Sequence, residues 1–235
     1  MQVTRDMGHF YRYSEQRRLE TISQMVVADP GVTRILDVGS GIGELSGLIR
    51  SRHGSGVRVI ATDLGFDSIH RAAGMCAERG SDSPEVRFVQ GDIYRLPYGD
   101  GSFDAVVASE ILEHLEEPRD AVREIARVIR PGGFVVLSTP YREKMRYTLC
   151  IHCNKKTPVN AHLHSFDDTV LQALLTEAGF IPEKRIKFSS RYADLLGLPG
   201  LSFFLPYRVW YAIDALLCAV FGMESFIAIR ARRRD

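Results

Sequence analysis

Three groups of residues have the types and spacing that chemistry needs. The first is Gly39, Gly41 and Gly43 in the run Ile35-Leu-Asp-Val-Gly-Ser-Gly-Ile-Gly-Glu44, followed by Asp63 and Asp92. Glycine lets a backbone turn tightly and lets a ligand approach where a Cβ would collide. Asp63, with Leu64 after it, stands about 20 residues beyond the glycines, where an acidic side chain accepts both hydroxyls of a ribose. Asp92, with Ile93 after it, can accept a bond from an exocyclic amine on a base. The alternative for the glycines is a strand-to-helix turn shaped by packing alone.

The second group is Ser109-Glu-Ile-Leu-Glu-His114. Glu110, Glu113 and His114 share a face if the segment is helical. Such a set can hold a metal or remove a proton from an acceptor, so Glu110 and His114 are the catalytic candidates. The third group is Cys150-Ile-His-Cys153 with His162-Leu-His164. A C-x-x-C knuckle places two thiolates on one tetrahedral ion, and Asn154 tolerates the left-handed turn that follows. His162 and His164 project to one face of an extended segment. Cys150, Cys153, His162 and His164 would complete a structural zinc site. Two alternatives stay open: the thiols are unconnected to the histidines, or one histidine faces an acceptor. A redox disulfide does not fit, because the pair does not open a helix after a strand. Cys76 and Cys218 are expected to be buried packing residues.

Short apolar runs and helical patterns position these groups. Strands are expected at 34–38, 57–61, 86–89, 103–108 and 134–137, with helices at 44–52, 66–79 and 117–129 between them. That alternation indicates βαβ units, a parallel sheet and a doubly wound α/β fold with helices on both faces. After Pro140 the pattern breaks. A polar insert without clear period is followed by a capped helix near 170–178, a strand at 181–189 and a short last strand at 226–229. Segment 195–221 between these two strands is rich in Leu and aromatics, including Phe203, Phe204, Tyr207, Trp210, Tyr211 and Phe221. Arg230, Arg232, Arg233 and Arg234 read as a basic tail. An apolar helix beside such a tail can rest on an anionic membrane surface; core packing with a solvated tail is the alternative. Phe10–Tyr13 is expected to fold over the site.

Composition narrows the classes. The chain has 235 residues, with 30 Lys plus Arg against 29 Asp plus Glu, 45% hydrophobic and 25% charged. One domain, 1–235, is expected, with a ligand-binding core at 30–140, the Cys/His insert at 141–165 and an apolar lid at 195–223. The near-neutral balance argues against nucleic acid as a partner. Four cysteines are too sparse for a disulfide scaffold. No signal peptide and no spanning segment are read, so a cytoplasmic location is the default expectation.

Two nucleoside cofactors compete for the glycine turn. A dinucleotide needs G-x-G-x-x-G, so that a helix N-terminus faces its pyrophosphate. This chain has G-x-G-x-G, with Asp37 inside the strand and Glu44 after the last glycine. Flanking carboxylates suit a cationic ligand better. S-adenosylmethionine carries a sulfonium and an ammonium and no phosphate.

These residues resemble the class I S-adenosylmethionine-dependent methyltransferases of the broad type 11 group, similar to the ubiquinone and menaquinone methyltransferases. The matching runs are Leu36–Gly43, Thr62-Asp63, Gly91-Asp92, Phe103–Val107 with Ser109–His114, and Arg130-Pro-Gly-Gly133. The resemblance implies a Rossmann-like sheet of seven strands with the last antiparallel. It implies Gly39 and Gly41 at the methionine part, Asp63 at the ribose, Asp92 and the Ile93 backbone at the adenine, and Ser109 beside the sulfur. In the ubiquinone-type O-methyltransferases a Glu-x-x-Glu-His run holds magnesium, which would here use Glu110, Glu113 and His114; purely structural hydrogen bonds are the alternative. The expected activity is O-methylation of a small hydrophobic acceptor, such as an isoprenoid, a lipid or a polyketide-like molecule. A homodimer, a non-catalytic partner subunit, and N- or C-methylation stay open.

Overall fold

The computed structural model describes residues 3–27, 29, 31–54, 56–78, 86–190, 204–222 and 224–235, with side chains from residue 15 onward except 75–78. The side chains of Phe10–Tyr13 and Cys76, and residues 195–203 of the expected lid with Phe203, lie outside the described residues.

The strands are β1 (Arg34–Val38), β2 (Arg58–Asp63), β3 (Val86–Gln90), β4 (Phe103–Ser109), β5 (Ile129–Pro140), β6 (Tyr147–Leu149), β7 (Lys156–Pro158), β8 (Phe180–Ser190) and β9 (Glu224–Arg233). The helices are α1 (Val3–Val27), α2 (Glu44–His53), α3 (Phe66–Glu78), α4 (Pro118–Val128), α5 (Asp168–Glu177) and α6 (Tyr207–Phe221). Seven strands form one sheet in the order β3-β2-β1-β4-β5-β9-β8, and β6 and β7 pair as a separate hairpin. The first five strands pair in parallel, while β9 runs antiparallel to both β5 and β8. This is the expected fold.

The central strands are buried on both faces, which explains their continuous apolar runs. Consecutive residues alternate sides. Leu36, Val106 and Val135 pack towards α4 and α5, through Val122, Ile125, Leu171 and Leu175. Ile35, Ala105 and Val136 pack towards α1 and α2, through Ile22, Met25, Leu45 and Ile49. β1 and β4 are neighbours, and the chain leaves β1 towards one sheet edge and β4 towards the other. At such a reversal the loops beyond the strands' carboxyl ends splay apart and open a crevice for ligands.

The C-terminal expectations change. The arginines at 230, 232 and 233 are part of β9, not a tail. Arg230 is 7% exposed; it pairs with Asp29 at 3.0 Å and Glu183 at 3.1 Å, and its guanidinium lies 3.7 Å from the Phe134 ring centre. Arg232 pairs with Glu183 and Asp29, and Arg233 donates to the Ile129 carbonyl. Desolvated cations need such partners, and these partners satisfy them within the fold. Helix α6 packs on β8, where Asp214 accepts the Ser189 and Ser190 amides at 2.8 and 2.9 Å. Trp210 and Cys218 are buried on its inner face, while Phe204 and Phe221 are exposed. Among the described residues, no helix is long and apolar enough to cross a membrane. At α5 the cap is Asp167, whose carboxylate accepts from Thr169 and Val170.

Candidate active site

The glycine turn lies over the crevice between β1 and β4. The Gly39 and Ser40 amides donate to the Thr62 carbonyl at 2.8 and 3.1 Å, which ties the turn to β2. Gly39 has φ +71°, and a Cβ there would lie 2.2 Å from Ile111 Cδ1. Gly41 has φ +54°, with nothing within 4 Å of an added Cβ, so its backbone borders open space. Gly43 closes the turn and caps α2.

Around that space lie Glu15, Arg18, Asp37, Gly39, Gly41 and Ser109, lining a cleft of about 230 Å³. Asp37 is 2% exposed and accepts the Ser46 hydroxyl at 2.5 Å. Burial pushes its carboxyl up to about 7, against the Ser46 hydrogen bond. Arg18 reaches over from α1 and donates to Ser109 Oγ at 2.7 Å and to Glu15 at 3.3 Å. It places one positive charge among Glu15, Asp37 and Glu44, all of which line the cleft.

Asp63 ends β2, and its carboxylate accepts the amides of Gly41 at 2.9 Å and Gly65 at 2.8 Å. Leu64 is 68% exposed beside it. Asp92 follows β3 and accepts the Tyr94 amide at 2.9 Å, while the Ile93 side chain is buried. The structure therefore brings Asp37, Gly39, Gly41 and Ser109 to one cleft, with Asp63 tied to its rim. Arg18 and Glu15 were not singled out from sequence, because α1 is remote along the chain and carries no motif.

Glu110 comes next after Ser109, with φ +53°, and its carboxylate accepts the Ser138 hydroxyl at 3.1 Å. Burial raises its pKa, against the attraction of Arg18. Glu110 lines a second, larger cavity of about 590 Å³, together with Glu143, Met145, Val159, His162 and Phe226. The two hollows adjoin through consecutive residues, Ser109 facing one and Glu110 the other. The lining of this cavity mixes charged and apolar groups, including Lys144 and Arg146.

Residues 112–114 form a single 3₁₀ turn, not an α-helix, and Glu110 does not converge with Glu113 and His114. Glu113 is 1% exposed, and neither of its carboxylate oxygens has a hydrogen-bond partner among the described residues. Burial, with repulsion from Glu110, pushes its carboxyl up to about 8. The partner that joins Glu113 and His114 comes from the insert. The His114 and His162 rings meet edge to face at 4.7 Å between centres.

The Cys2His2 zinc set is not assembled. Cys150 and Cys153 stand at the tip of the β6–β7 hairpin, half-buried and exposed respectively. The local knuckle does form. Asn154 has φ +54° and donates to the Cys150 carbonyl, and amides of the turn hold the Cys150 thiol below its usual pKa. His162 and His164 turn elsewhere. The amides of Leu163 and His164 donate to the Glu113 carbonyl, and His164 Nε2 binds the Leu115 carbonyl at 2.8 Å. His162 Nδ1 pairs with Glu143. These bonds dock the insert on the 3₁₀ turn and leave the thiols without imidazole partners.

Comparison with known proteins agrees with this geometry. Residues 36–137 match the family model described as a methyltransferase domain. A demethylmenaquinone methyltransferase of Renibacterium salmoninarum is 35% identical over 136 residues, covering 58% of this chain and 52% of that protein. A ubiquinone/menaquinone biosynthesis C-methyltransferase of Bdellovibrio bacteriovorus is 36% identical over 104 residues, covering 44% of this chain and 43% of that protein. The chain thus spans about half the length of the curated relatives it matches. The solved structure of a 4+2 cyclase superposes with TM-score 0.66 at 24% identity, covering 93% of this chain and 81% of that one. That likeness shows the fold alone, since one fold can host different chemistries. Residues 36–137 thus match a methyltransferase domain, and over that core the chain is similar to quinone methyltransferases.

Proposed function

We propose that the chain transfers the methyl group of S-adenosylmethionine to a small molecule seated in the cavity beside the cofactor cleft. The observation that carries this reading is the adjacency of the two hollows across Ser109 and Glu110. Methyl transfer is an in-line displacement at a sulfonium carbon, so it needs donor and acceptor held in one line and kept dry.

The cleft suits the donor. Carboxylates at Glu15, Asp37 and Glu44 attract the ammonium and the sulfonium, and Arg18 is the counter-ion for the methionine carboxylate. Asp63 takes the ribose hydroxyls, Leu64 borders the adenosine, and Asp92 with the Ile93 backbone takes the adenine. Ser109 stands at the methionine end of the cleft.

The cavity sets the acceptor. Met145, Val159 and Phe226 suit an apolar body, and Glu110, Glu143 and His162 suit a polar group that loses a proton. A hydroxylated ring of an isoprenoid, lipid or polyketide kind combines the two. Oxygen is the acceptor atom, with the proton leaving to Glu110 on the cavity wall. A second reading is carbon attack on the same kind of ring, favoured by the relative named as a C-methyltransferase.

Incubating the chain with methyl-labelled cofactor and a panel of hydroxylated aromatic and lipid acceptors tests the reading. A labelled product is expected, and NMR of its new methyl group separates oxygen from carbon. Binding of the cofactor with no transfer to any member of that panel, at any pH from roughly 6 to 9, would overturn the acceptor assignment.

A further inference from the structure

We infer that Glu113, His114 and His162 form a binding site for one divalent transition-metal ion. One ligand atom from each lies within 4.8 Å of the others. Glu113 carries most of the weight, because it is 1% exposed and both carboxylate oxygens lack a hydrogen-bond partner among the described residues. A polar group left so deep without a hydrogen-bond partner is expensive. Two imidazoles beside it supply the other donors of a shared cation.

The outer partners of both rings are already in place. His162 Nδ1 is bound to Glu143, and His114 Nδ1 lies 3.3 Å from the Ala161 carbonyl oxygen. That leaves Nε2 of each ring for an ion, and partners of this kind orient metal-bound imidazoles. Bonds of about 2.0–2.2 Å would require the three side chains, whose ligand atoms lie within 4.8 Å of one another, to draw closer.

The set departs from the Glu-x-x-Glu-His pattern. Glu110 is engaged with Ser138, and an insert histidine stands in its place. Two imidazoles and one carboxylate suit zinc, cobalt, iron or manganese, whereas magnesium takes oxygen ligands. His162 borders the larger cavity, so an ion held by it would lie beside that space. An acceptor oxygen bound there would lose its proton more readily. This role at the acceptor rests on the proposed methyl transfer, whereas metal binding itself does not.

The test titrates the chelator-stripped 235-residue chain with cobalt(II), followed by absorption and calorimetry. One equivalent is expected to bind, with the weak visible bands of a nitrogen and oxygen site and no thiolate-to-cobalt charge transfer. Cys150→Ser should leave the curve unchanged. Glu143→Gln should weaken binding about 10–100-fold, and His162→Ala at least as much. If His162→Ala does not fold, the spectrum of the parent chain and the Cys150→Ser titration decide alone. Absence of cobalt binding, a charge-transfer band that Cys150→Ser removes, or undiminished affinity in a folded His162→Ala overturns the site. S-adenosylhomocysteine binding by the same samples reports separately on the cofactor cleft.

Discussion

Asp63 Oδ2 accepts the backbone amide of Gly41 at 2.9 Å, joining the end of β2 to the glycine turn. One carboxylate thus braces the loop, and in the proposed function it also takes the ribose hydroxyls of the cofactor. Hydrogen bonds to a charged group are worth about 1.5–3 kcal/mol. Asp63→Ala should therefore lower S-adenosylhomocysteine affinity by about 10–100-fold in calorimetry. An unchanged affinity removes Asp63 from the site.

The glycines separate folding from binding. Gly39→Ala forces φ +71° on an L-residue and drives a Cβ into Ile111, so it should destabilise by roughly 1–3 kcal/mol in urea denaturation. Gly41→Ala meets only open space at φ +54°, so about 1 kcal/mol is lost. Its Cβ, however, projects where the cofactor approaches, and binding should fall sharply. Equal effects of the two variants on binding and on stability would contradict this assignment.

Asp37 gives a pH signature. Its carboxyl titrates near 7 in the fold and at 3.8 in the unfolded chain. Below the lower value both states are protonated. Between them only the unfolded chain ionises, so stability falls as pH rises, and above about 7 the full penalty stands. Asp37→Asn should stabilise the cofactor-free chain at pH 8 by on the order of 3–4 kcal/mol, and hardly at all at pH 4. Binding of the cationic cofactor favours the ionised form and should tighten as pH rises towards 8. Thermal melts and calorimetry across that range check both halves; a flat binding profile contradicts the role.

Arg18 faces the cleft from α1 and reaches Ser109 at 2.7 Å. As counter-ion to the methionine carboxylate, it should be needed only by ligands that carry one. Arg18→Gln should weaken S-adenosylhomocysteine about tenfold or more, while methylthioadenosine, which lacks the amino-acid group, binds as before. Equal losses for both ligands would assign Arg18 a purely structural part.

At the far end of the fold, Arg230→Ala removes a buried cation from Asp29, Glu183, the Met25 carbonyl and the Phe134 ring. It should destabilise by about 3–5 kcal/mol. Arg234, exposed beyond β9, should tolerate the same change within about 0.5 kcal/mol. Denaturant midpoints of the two variants provide the comparison.

What sequence reveals here is what is local. The glycine turn, the carboxylates at strand ends, the parallel order and the left-handed Asn154 follow from neighbours a few residues apart. The misread features depend on distant partners. His162 and His164 resemble zinc ligands beside Cys150 and Cys153, until backbone amides 163 and 164 dock on the Glu113 carbonyl. Arg230 and Arg232 resemble a solvated tail, until Glu183, 47 and 49 residues away, meets them across β8 and β9. Glu110 departs from Glu113 because one 3₁₀ turn replaces the helix that would have aligned them. Arg18 carries no motif and becomes visible only once α1 packs over β4 and β5.

The most direct test of the account is a calorimetric titration of the chain with S-adenosylhomocysteine. One saturable site per chain is expected, displaced by S-adenosylmethionine and weakened about 10–100-fold in Asp63→Ala. No heat and no thermal shift with this ligand, together with binding of a reduced nicotinamide dinucleotide, would contradict the account.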